Sequence, residues 1–328
     1  MGRYLVTGTA GFIGWKVAEQ LLERGDTVVG VDDLNDAYDV RLKEWRLSTL
    51  VGRPGFSFER ADIVDRAALE RVFEIAGRPS FEGVINLAAR AGVRQSVENP
   101  WVYLATNATG TLNLLDCCVR RGVPKFVLAS TSSLYGTHNP RPYVENADTS
   151  QPLSPYAASK KAAETMAYTF HYLHGIDVTV LRYFTVYGPA GRPDMSVFRF
   201  VQWIREGRPL IVFGDGKQER DFTYVDDVAR GTIAALKPLG YDIINLGSDR
   251  PIVLADAIRM TEEATGAKAT LEYRPRHPAD VDATWANIDR AKAVLDWTPR
   301  THFAEGVGRL VRWYDENREW TRNVQTGS

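Results

Sequence analysis

Arg3-Tyr4-Leu5-Val6-Thr7 runs directly into Gly8-Thr9-Ala10-Gly11-Phe12-Ile13-Gly14, which opens an amphipathic stretch over residues 12–24. A short apolar run, spaced glycines and a helix start form the strand-turn-helix unit whose first-turn amides and helix dipole receive a pyrophosphate. Its Gly-x-x-Gly-x-x-Gly spacing departs from the commoner dinucleotide fingerprint and is a weak signal alone. Asp32 strengthens it. That acid ends the strand read over Thr27 to Val31, where a carboxylate accepts hydrogen bonds from an adenosine ribose diol and repels a 2'-phosphate. NAD is therefore expected in preference to NADP.

Outward from this unit, short apolar runs alternate with helical stretches, the pattern of a parallel sheet covered on both faces. Six strands are read: Arg3 to Thr7, Thr27 to Val31, Phe56 to Arg60, Gly83 to Leu87, Lys125 to Ser130 and Asp177 to Tyr183. The expected fold is α/β, a Rossmann-type doubly wound parallel sheet with a smaller C-terminal α/β substrate domain. Asn99-Pro100 and Ser154-Pro155 each place a capping side chain before a proline at the first helical position, and Gly175 is read as a helix stop. These give helices over 100–121 and 155–174. After about Tyr183 the alternation breaks into Gly- and Pro-rich loops. The division expected is 1–180 for the dinucleotide, with some later segments packing back on it, 181–319 for the substrate, and a tail over 320–328 that frays.

The chain has 328 residues, 44% of them hydrophobic and 25% charged, with 40 Lys and Arg against 41 Asp and Glu. That composition excludes a disordered or disulfide-scaffold protein, and the balanced charge gives no global field to recruit nucleic acid or an anionic membrane. Any phosphate must be recognised locally. Cys117 and Cys118 are adjacent in a helical stretch, where a bridge between them would be strained, so a reducing cytoplasm is expected. The N-terminal apolar run is too short for a signal peptide or a membrane span.

Tyr156-Ala157-Ala158-Ser159-Lys160 places a phenol and an ammonium four residues apart, on one face of a helix. A nearby Lys+ and a cationic nicotinamide both favour phenolate, which makes Tyr156 a general base near neutrality; Lys160 can also hold the nicotinamide ribose. Ser130-Thr131-Ser132-Ser133 follows the fifth strand, at the carboxyl edge where open α/β sheets bind ligands, and Thr131 is expected to hydrogen-bond the reacting oxygen. Asp62-Ile63, after the third strand, is read as an adenine contact, with a helix N-cap as the alternative. Leu87-Ala88-Ala89 lets backbone pass beside the cofactor, and Asn107 is expected to bond within the sheet. His171 and His174 lie three apart with no companion ligands, so no metal is expected.

Together these motifs resemble the extended short-chain dehydrogenase/reductase family across nearly the whole chain. Ala91-Gly92-Val93-Arg94, the run Arg182-Tyr183-Phe184-Thr185-Val186-Tyr187-Gly188-Pro189, and Gly191-Arg192-Pro193-Asp194-Met195 are similar to those of the UDP-glucuronate 4-epimerases. The resemblance implies an NAD-dependent isomerase that oxidises C4 of a UDP-sugar, turns the ketone over and reduces the other face, making UDP-galacturonate from UDP-glucuronate. Tyr156 would take the O4 proton, Lys160 tune it and Thr131 hold O4. Arg192 would fix the C5 carboxylate, with Ser132, Ser133 and Thr185 as further donors, so that the β-keto acid keeps its carboxylate. Phe213 would flank uracil, Arg220 and Arg276 would serve the nucleotide end, and Arg94 would contact the substrate. A homodimer through helices 100–121 and 155–174 is also implied.

The chain departs from the family pattern at Asp33, where Asn is usual, Gln95, where Tyr is common, and Asn86, where His is frequent. Pro278-Ala279-Asp280 replaces Pro-Gly-Asp, and His277 stands where related hexose epimerases carry a phosphate-binding Arg that Arg276 would replace. Alternatives are a UDP-glucose/UDP-galactose 4-epimerase and a UDP-glucuronate decarboxylase, with a non-catalytic NAD-sensing regulator more remote. Decarboxylases typically carry a Glu, and 4,6-dehydratases an acid pair, where this chain has Ser132-Ser133.

Overall fold

The computed structural model describes residues 1–76, 81–275 and 281–326. Seven parallel strands form the main sheet: β1 (Arg3–Thr7), β2 (Thr27–Asp32), β3 (Phe56–Arg60), β4 (Gly83–Asn86), β5 (Lys125–Thr131), β6 (Asp177–Tyr183) and a later strand, Tyr241–Leu246. Three strands outside the main sheet precede that last one, β7 (Thr185–Tyr187), β8 (Leu210–Phe213) and β9 (Glu219–Tyr224), so it is β10. β11 (Pro251–Val253) and β12 (Leu271–Arg274) follow. The main sheet runs β10-β6-β5-β4-β1-β2-β3. Strand order reverses between β1 and β4, which opens a crevice beyond their carboxyl ends.

Residues alternate between two hydrophobic layers, as a strand's period of two requires. Val6, Val28, Ile85, Val127 and Leu181 join one core with Trp15 and Leu21 of α1 (Phe12–Glu23). Leu5, Val29, Val84, Phe126 and Val180 face the other, with Leu69, Leu114 and Ala163. Burial on both faces explains why these strands read as near-continuous apolar runs.

The helices on that second face are α3 (Arg66–Ala76), α6 (Gly110–Arg121) and α7 (Pro155–His174); α2 (Val40–Ser48), α4 (Val93–Glu98) and α5 (Pro100–Tyr103) stand near the crevice. The helix expected over 100–121 is interrupted by a π-helical segment, Leu104–Thr109, that carries Asn107. Asn99 makes no side-chain capping bond, contrary to expectation, because its backbone leaves α4 directly into Pro100. Ser154 does cap α7, accepting from the Ala157 amide at 3.2 Å, and left-handed Gly175 ends it.

β9 pairs with β7 in parallel and with β11 in antiparallel fashion, and β8 pairs with β12. The remaining helices are α8 (Ser196–Arg205), α9 (Val225–Ala234), α10 (Leu254–Thr265), α11 (Asp289–Leu295), α12 (Phe303–Glu316) and α13 (Arg318–Thr321). The tail expected to fray from Trp320 is docked as far as Thr326. The Gln202 amide of α8 donates to the Thr321 and Val324 carbonyls, both at 2.9 Å, Arg199 donates to the Thr326 carbonyl, and Thr321 and Val324 are buried. A buried amide side chain with no other outlet for its donors makes the tail's backbone its partner.

Candidate active site

The crevice begins at the glycine loop. Gly8 is left-handed (φ +69°), and a Cβ there would stand 2.7 Å from the Ala88 nitrogen, so glycine alone lets this turn lie against Leu87 and Ala88. A Cβ on Gly14 would collide with the Gly8 carbonyl. Gly11 starts α1 with no side-chain cap and no acid in the first turn, which leaves the first-turn amides of Phe12, Ile13 and Gly14 without an intrahelical acceptor and suited to an anion. Asp32 ends β2 and accepts from the Ala10 amide at 3.1 Å and the Leu34 amide at 2.8 Å. Burial pushes its carboxyl above the usual range, opposed by Lys43, whose ammonium lies 3.8 Å away. A cradle that Cβ atoms would fill, an uncapped helix start and a strand-end carboxylate fit a dinucleotide.

Asp62 accepts from the Val64 amide at 2.9 Å in a turn after β3, while Ile63 is buried where a Gly110 Cβ would approach within 2.5 Å of it. Leu87, Ala88 and Ala89 follow β4, and Ala88 donates to Thr7 Oγ1. Asn107 does not bond within the sheet as expected. Its π-helical backbone turns the amide to the segment after β4 and to α7: it accepts from the Arg90 amide and donates to the Arg90 carbonyl and Ser159 Oγ, all at 2.9 Å.

Tyr156 and Lys160 lie one turn apart on α7, facing the end of β5. Lys160 is buried, donates to the Ala129 carbonyl at 3.0 Å, and is brought down to about 8 by burial against the opposing charge of Glu164. Burial likewise holds the Tyr156 phenol above its usual range, opposed by a hydrogen bond with Thr131 and by the charge of Arg192. The Lys160 ammonium is turned to the Ala129 carbonyl, one helical turn from the phenol. Thr131 accepts from the Ser133 amide at 3.1 Å and meets Ser133 Oγ at 3.2 Å; Ser132 lies between them. Behind them, Ser130 donates to Glu164 at 2.5 Å and Arg182 grips the same carboxylate with two bonds, 3.0 and 2.8 Å.

Arg192 is no solvated loop residue. Its Nε and Nη2 grip Asp194 at 3.1 and 2.6 Å, and Nη2 also donates to the Ala91 carbonyl at 3.0 Å. Burial raises the Asp194 carboxyl, but the charge and hydrogen bonds of Arg192 bring it below the usual range. Thr185, on β7, lines a small cavity with Arg192. Phe213 and Arg220 line another cavity, about 250 Å³, with Lys217 and Gln218. The Arg94 guanidinium lies 4.2 Å over the Phe213 ring, bringing two expected substrate residues into contact. Arg276, His277, Pro278, Ala279 and Asp280 lie outside the described residues.

Residues 4–247 match the model of the NAD dependent epimerase/dehydratase family. The chain belongs to that family. It is 56% identical, over 99% of its length and 100% of the relative, to a UDP-glucuronate 4-epimerase of Thermodesulfobacterium geofontis. It is 41% identical to UDP-glucuronate 4-epimerase 4 of Arabidopsis thaliana, over 94% of this chain and 74% of that one. Its structure is similar to that of the Bacillus cereus UDP-glucuronic acid 4-epimerase in complex with UDP-glucuronic acid and NAD. The TM-score is 0.90, with 34% identity over 96% of this chain and 99% of that one. The family's doubly wound parallel sheet is present, and the enzyme is an NAD-dependent nucleotide-sugar 4-epimerase.

Three residues of this epimerase's site escaped the sequence reading: Lys43, Arg46 and Asp194. Lys43 and Arg46 are three apart on α2, a spacing that signals a shared helix face and nothing more. Asp194 stands in the loop run that marked Arg192, and its pairing with that arginine was the missed step.

Proposed function

We propose that the site performs reversible C4 epimerisation of UDP-glucuronate to UDP-galacturonate with Tyr156 as its base, Lys160 as the cation tuning it, and Thr131 on O4. One observation carries the reading: the Arg192 guanidinium and the Tyr103 hydroxyl both donate to the Ala91 carbonyl, at 3.0 and 3.5 Å, and the Tyr103 ring meets that of Tyr156 with centres 6.2 Å apart, which brings a cationic fork to the neighbourhood of the proton acceptor. Bound NAD supplies the acceptor and donor of hydride at C4. Gly8, Gly11, Phe12, Ile13 and Gly14 hold its diphosphate and Asp32 its adenosine ribose, while Asp62, Ile63, Leu87, Ala88, Ala89 and Asn107 shape the adenine and nicotinamide sides.

Tyr156 removes the O4 proton through its hydrogen bond to Thr131 and returns it after the ketone has turned. Asp194 occupies the Nε and Nη2 edge of Arg192, so Nη1 is the edge offered to the substrate's C5 carboxylate, with Ser132, Ser133 and Thr185 beside it. Holding that carboxylate favours the anion over departing carbon dioxide and keeps the C5–C6 bond out of line with the ketone π system. Phe213, Arg94 and Arg220 receive the uridine diphosphate, with Arg276 assigned to the same end. Residues 1–180 thus serve mainly the cofactor and 181–319 mainly the sugar nucleotide. Incubating the protein with UDP-glucuronate and following the sugar anomeric and H4 signals by proton NMR should show UDP-galacturonate without accumulating NADH. UDP-pentose as the main product would overturn the carboxylate-holding role.

Two copies pair through the helices over 100–121 and 155–174. Trp101 (77% exposed), Leu104, Tyr168, Tyr172 (76% exposed) and Leu173 stand uncovered on those helices, an apolar display that a partner copy would cover. Light scattering should give a dimer mass that falls to the monomer in a Trp101→Asp/Tyr172→Asp variant; a monomer mass for the unaltered protein would refute the pairing. Cys117 and Cys118 are buried free thiols, which suits a reducing cytoplasm, and no helix among the described residues is long and apolar enough to cross a membrane.

A further inference from the structure

Arg46 is among the largest fully buried side chains of the protein, although arginine is rarely taken wholly out of water. All five of its N–H donors are used, and their acceptors are backbone carbonyls and one phenol. Nε donates to the Ala190 carbonyl at 2.9 Å. Nη2 donates to Ala190 again, at 2.6 Å, and to the Gly191 carbonyl at 3.2 Å. Nη1 donates to the Ala10 carbonyl at 3.1 Å and to the Tyr38 hydroxyl at 2.7 Å. The guanidinium carbon also lies 5.8 Å from the centre of the Phe12 ring and 5.5 Å from that of Tyr38.

These acceptors belong to two functional loops and the segment that covers them. Ala10 sits inside the glycine loop, with its amide already held by Asp32 and its carbonyl by Arg46, and the Gly11 amide donates to the Gly8 carbonyl at 2.9 Å, so the Ala10–Gly11 peptide is bonded at both its carbonyl and its N–H. Ala190 and Gly191 immediately precede Arg192. Ala190 is a buried alanine in the left-handed region (φ +52°), a conformation that needs its surroundings to hold it. Two donors from one guanidinium on its carbonyl do so. The two loops are also close, since a Cβ on Gly191 would come into van der Waals range of the Phe12 ring, at 3.7 Å.

We propose that Arg46 is a positioning residue that ties the dinucleotide loop to the loop carrying Arg192, and so sets where the substrate's carboxylate stands relative to the cofactor. The inference rests on the reading that Arg192 holds that carboxylate. Its chemical logic is one of distance. Hydride moves at C4, the carboxylate is on C5, and each is fixed to the protein through a different loop. A permanently charged planar fork reaches both loops at once, whereas a lysine's single ammonium on the same helix cannot span them with the same geometry. Slack between the loops misplaces C4 and frees the C5–C6 bond to align with the ketone. The keto sugar then loses carbon dioxide: the C5–C6 electron pair passes into the C4 carbonyl to give an enolate, a proton from solvent at C5 makes the 4-ketopentose, and return of the hydride to C4 with a proton to O4 makes the UDP-pentose.

The test uses the full-length enzyme at saturating NAD, so that weakened cofactor binding does not enter, with UDP-glucuronate as substrate and proton NMR reading UDP-pentose against UDP-galacturonate. Arg46→Lys should lower kcat on the order of 100-fold and raise the pentose share. Tyr38→Phe, which removes one acceptor from a half-exposed position, should shift the ratio the same way by less, and it decides the matter if Arg46→Lys does not fold. A purely structural arginine would lower the melting temperature and leave the product ratio unchanged, and that result would overturn the inference. Arg192→Ala is run alongside. If Arg192→Ala changes the ratio and the Arg46 and Tyr38 variants do not, the tie is wrong and the carboxylate reading stands. If none of the three changes it, the carboxylate reading fails and takes this inference with it.

Discussion

Tyr156→Phe is expected to lower kcat by about 10²- to 10⁴-fold while NAD stays bound, the range by which a positioned acid-base group accelerates proton transfer. The substitution removes one hydroxyl and keeps the ring that meets Tyr103 edge-on, 6.2 Å between centres, so the helix and its packing should survive. What disappears is the acceptor for the O4 proton and the partner of Thr131. The pH behaviour is also specified. Burial holds the phenol up in the protein alone, and the charges that oppose it favour phenolate. Arg192 supplies one positive charge, and a bound nicotinium ring supplies another. Deprotonation of Tyr156 should therefore move to lower pH when NAD is present. Ultraviolet difference titration of the wild type against Tyr156→Phe, with and without NAD, isolates this phenol from the chain's 14 tyrosines. Turnover close to wild type in Tyr156→Phe would remove it as the base. A titration unmoved by NAD would remove the cofactor's charge as the device that activates it.

What could be read in the sequence is what lies close along the chain. The glycine loop, Asp32, the six strands and the Tyr156–Lys160 pair all depend on contiguous segments or on one helical turn, so spacing alone exposes them. The parts that resisted are tertiary. Arg46 reads as an ordinary charged residue on α2, and only folding brings it to Ala190, 144 positions away. Lys160 and Tyr156 are correctly one turn apart, but their spacing says nothing about the Ala129 carbonyl that takes the ammonium. Asn107 fails for a similar reason. A π-helical turn cannot be distinguished from an α-helical one in Leu104–Thr109, and that turn decides whether the amide faces the sheet or the segment after β4. The docked tail depends on Gln202, a polar residue inside α8 whose burial no local pattern reveals.

The arrangement also explains why one arginine bears on both steps that distinguish this reaction. In the proposed reading, Arg192, paired with Asp194 and acting on the Tyr156 phenol through its charge, would also receive the substrate's carboxylate. Asp194 keeps the fork oriented before substrate arrives, which limits the ordering that binding must accomplish. A second anion on Nη1 is then held by a guanidinium that is already immobile.

Arg192→Ala should consequently change three things at once. Loss of a charge-assisted bond worth about 1.5–3 kcal/mol should weaken UDP-glucuronate binding by roughly 10- to 100-fold. Loss of the positive charge beside Tyr156 should push the phenol still higher, so the pH at which kcat rises should move in the alkaline direction. Part of the keto sugar, its carboxylate now unheld, should leave the cycle as UDP-pentose. Asp194 complicates the interpretation, because the same substitution strands a partly buried carboxylate that had been paired. Asp194→Asn separates the effects: it spares the arginine's charge while loosening its orientation, so it should raise the pentose share with little alkaline shift. Isothermal titration with UDP-glucuronate, a pH–rate profile and product analysis by NMR read the three consequences independently. Binding and product ratio that both stay at wild-type values in Arg192→Ala would eliminate the carboxylate role. A shifted pH profile without pentose would leave Arg192 tuning only the base, and carboxylate restraint would then pass to the donors of Ser132, Ser133 and Thr185.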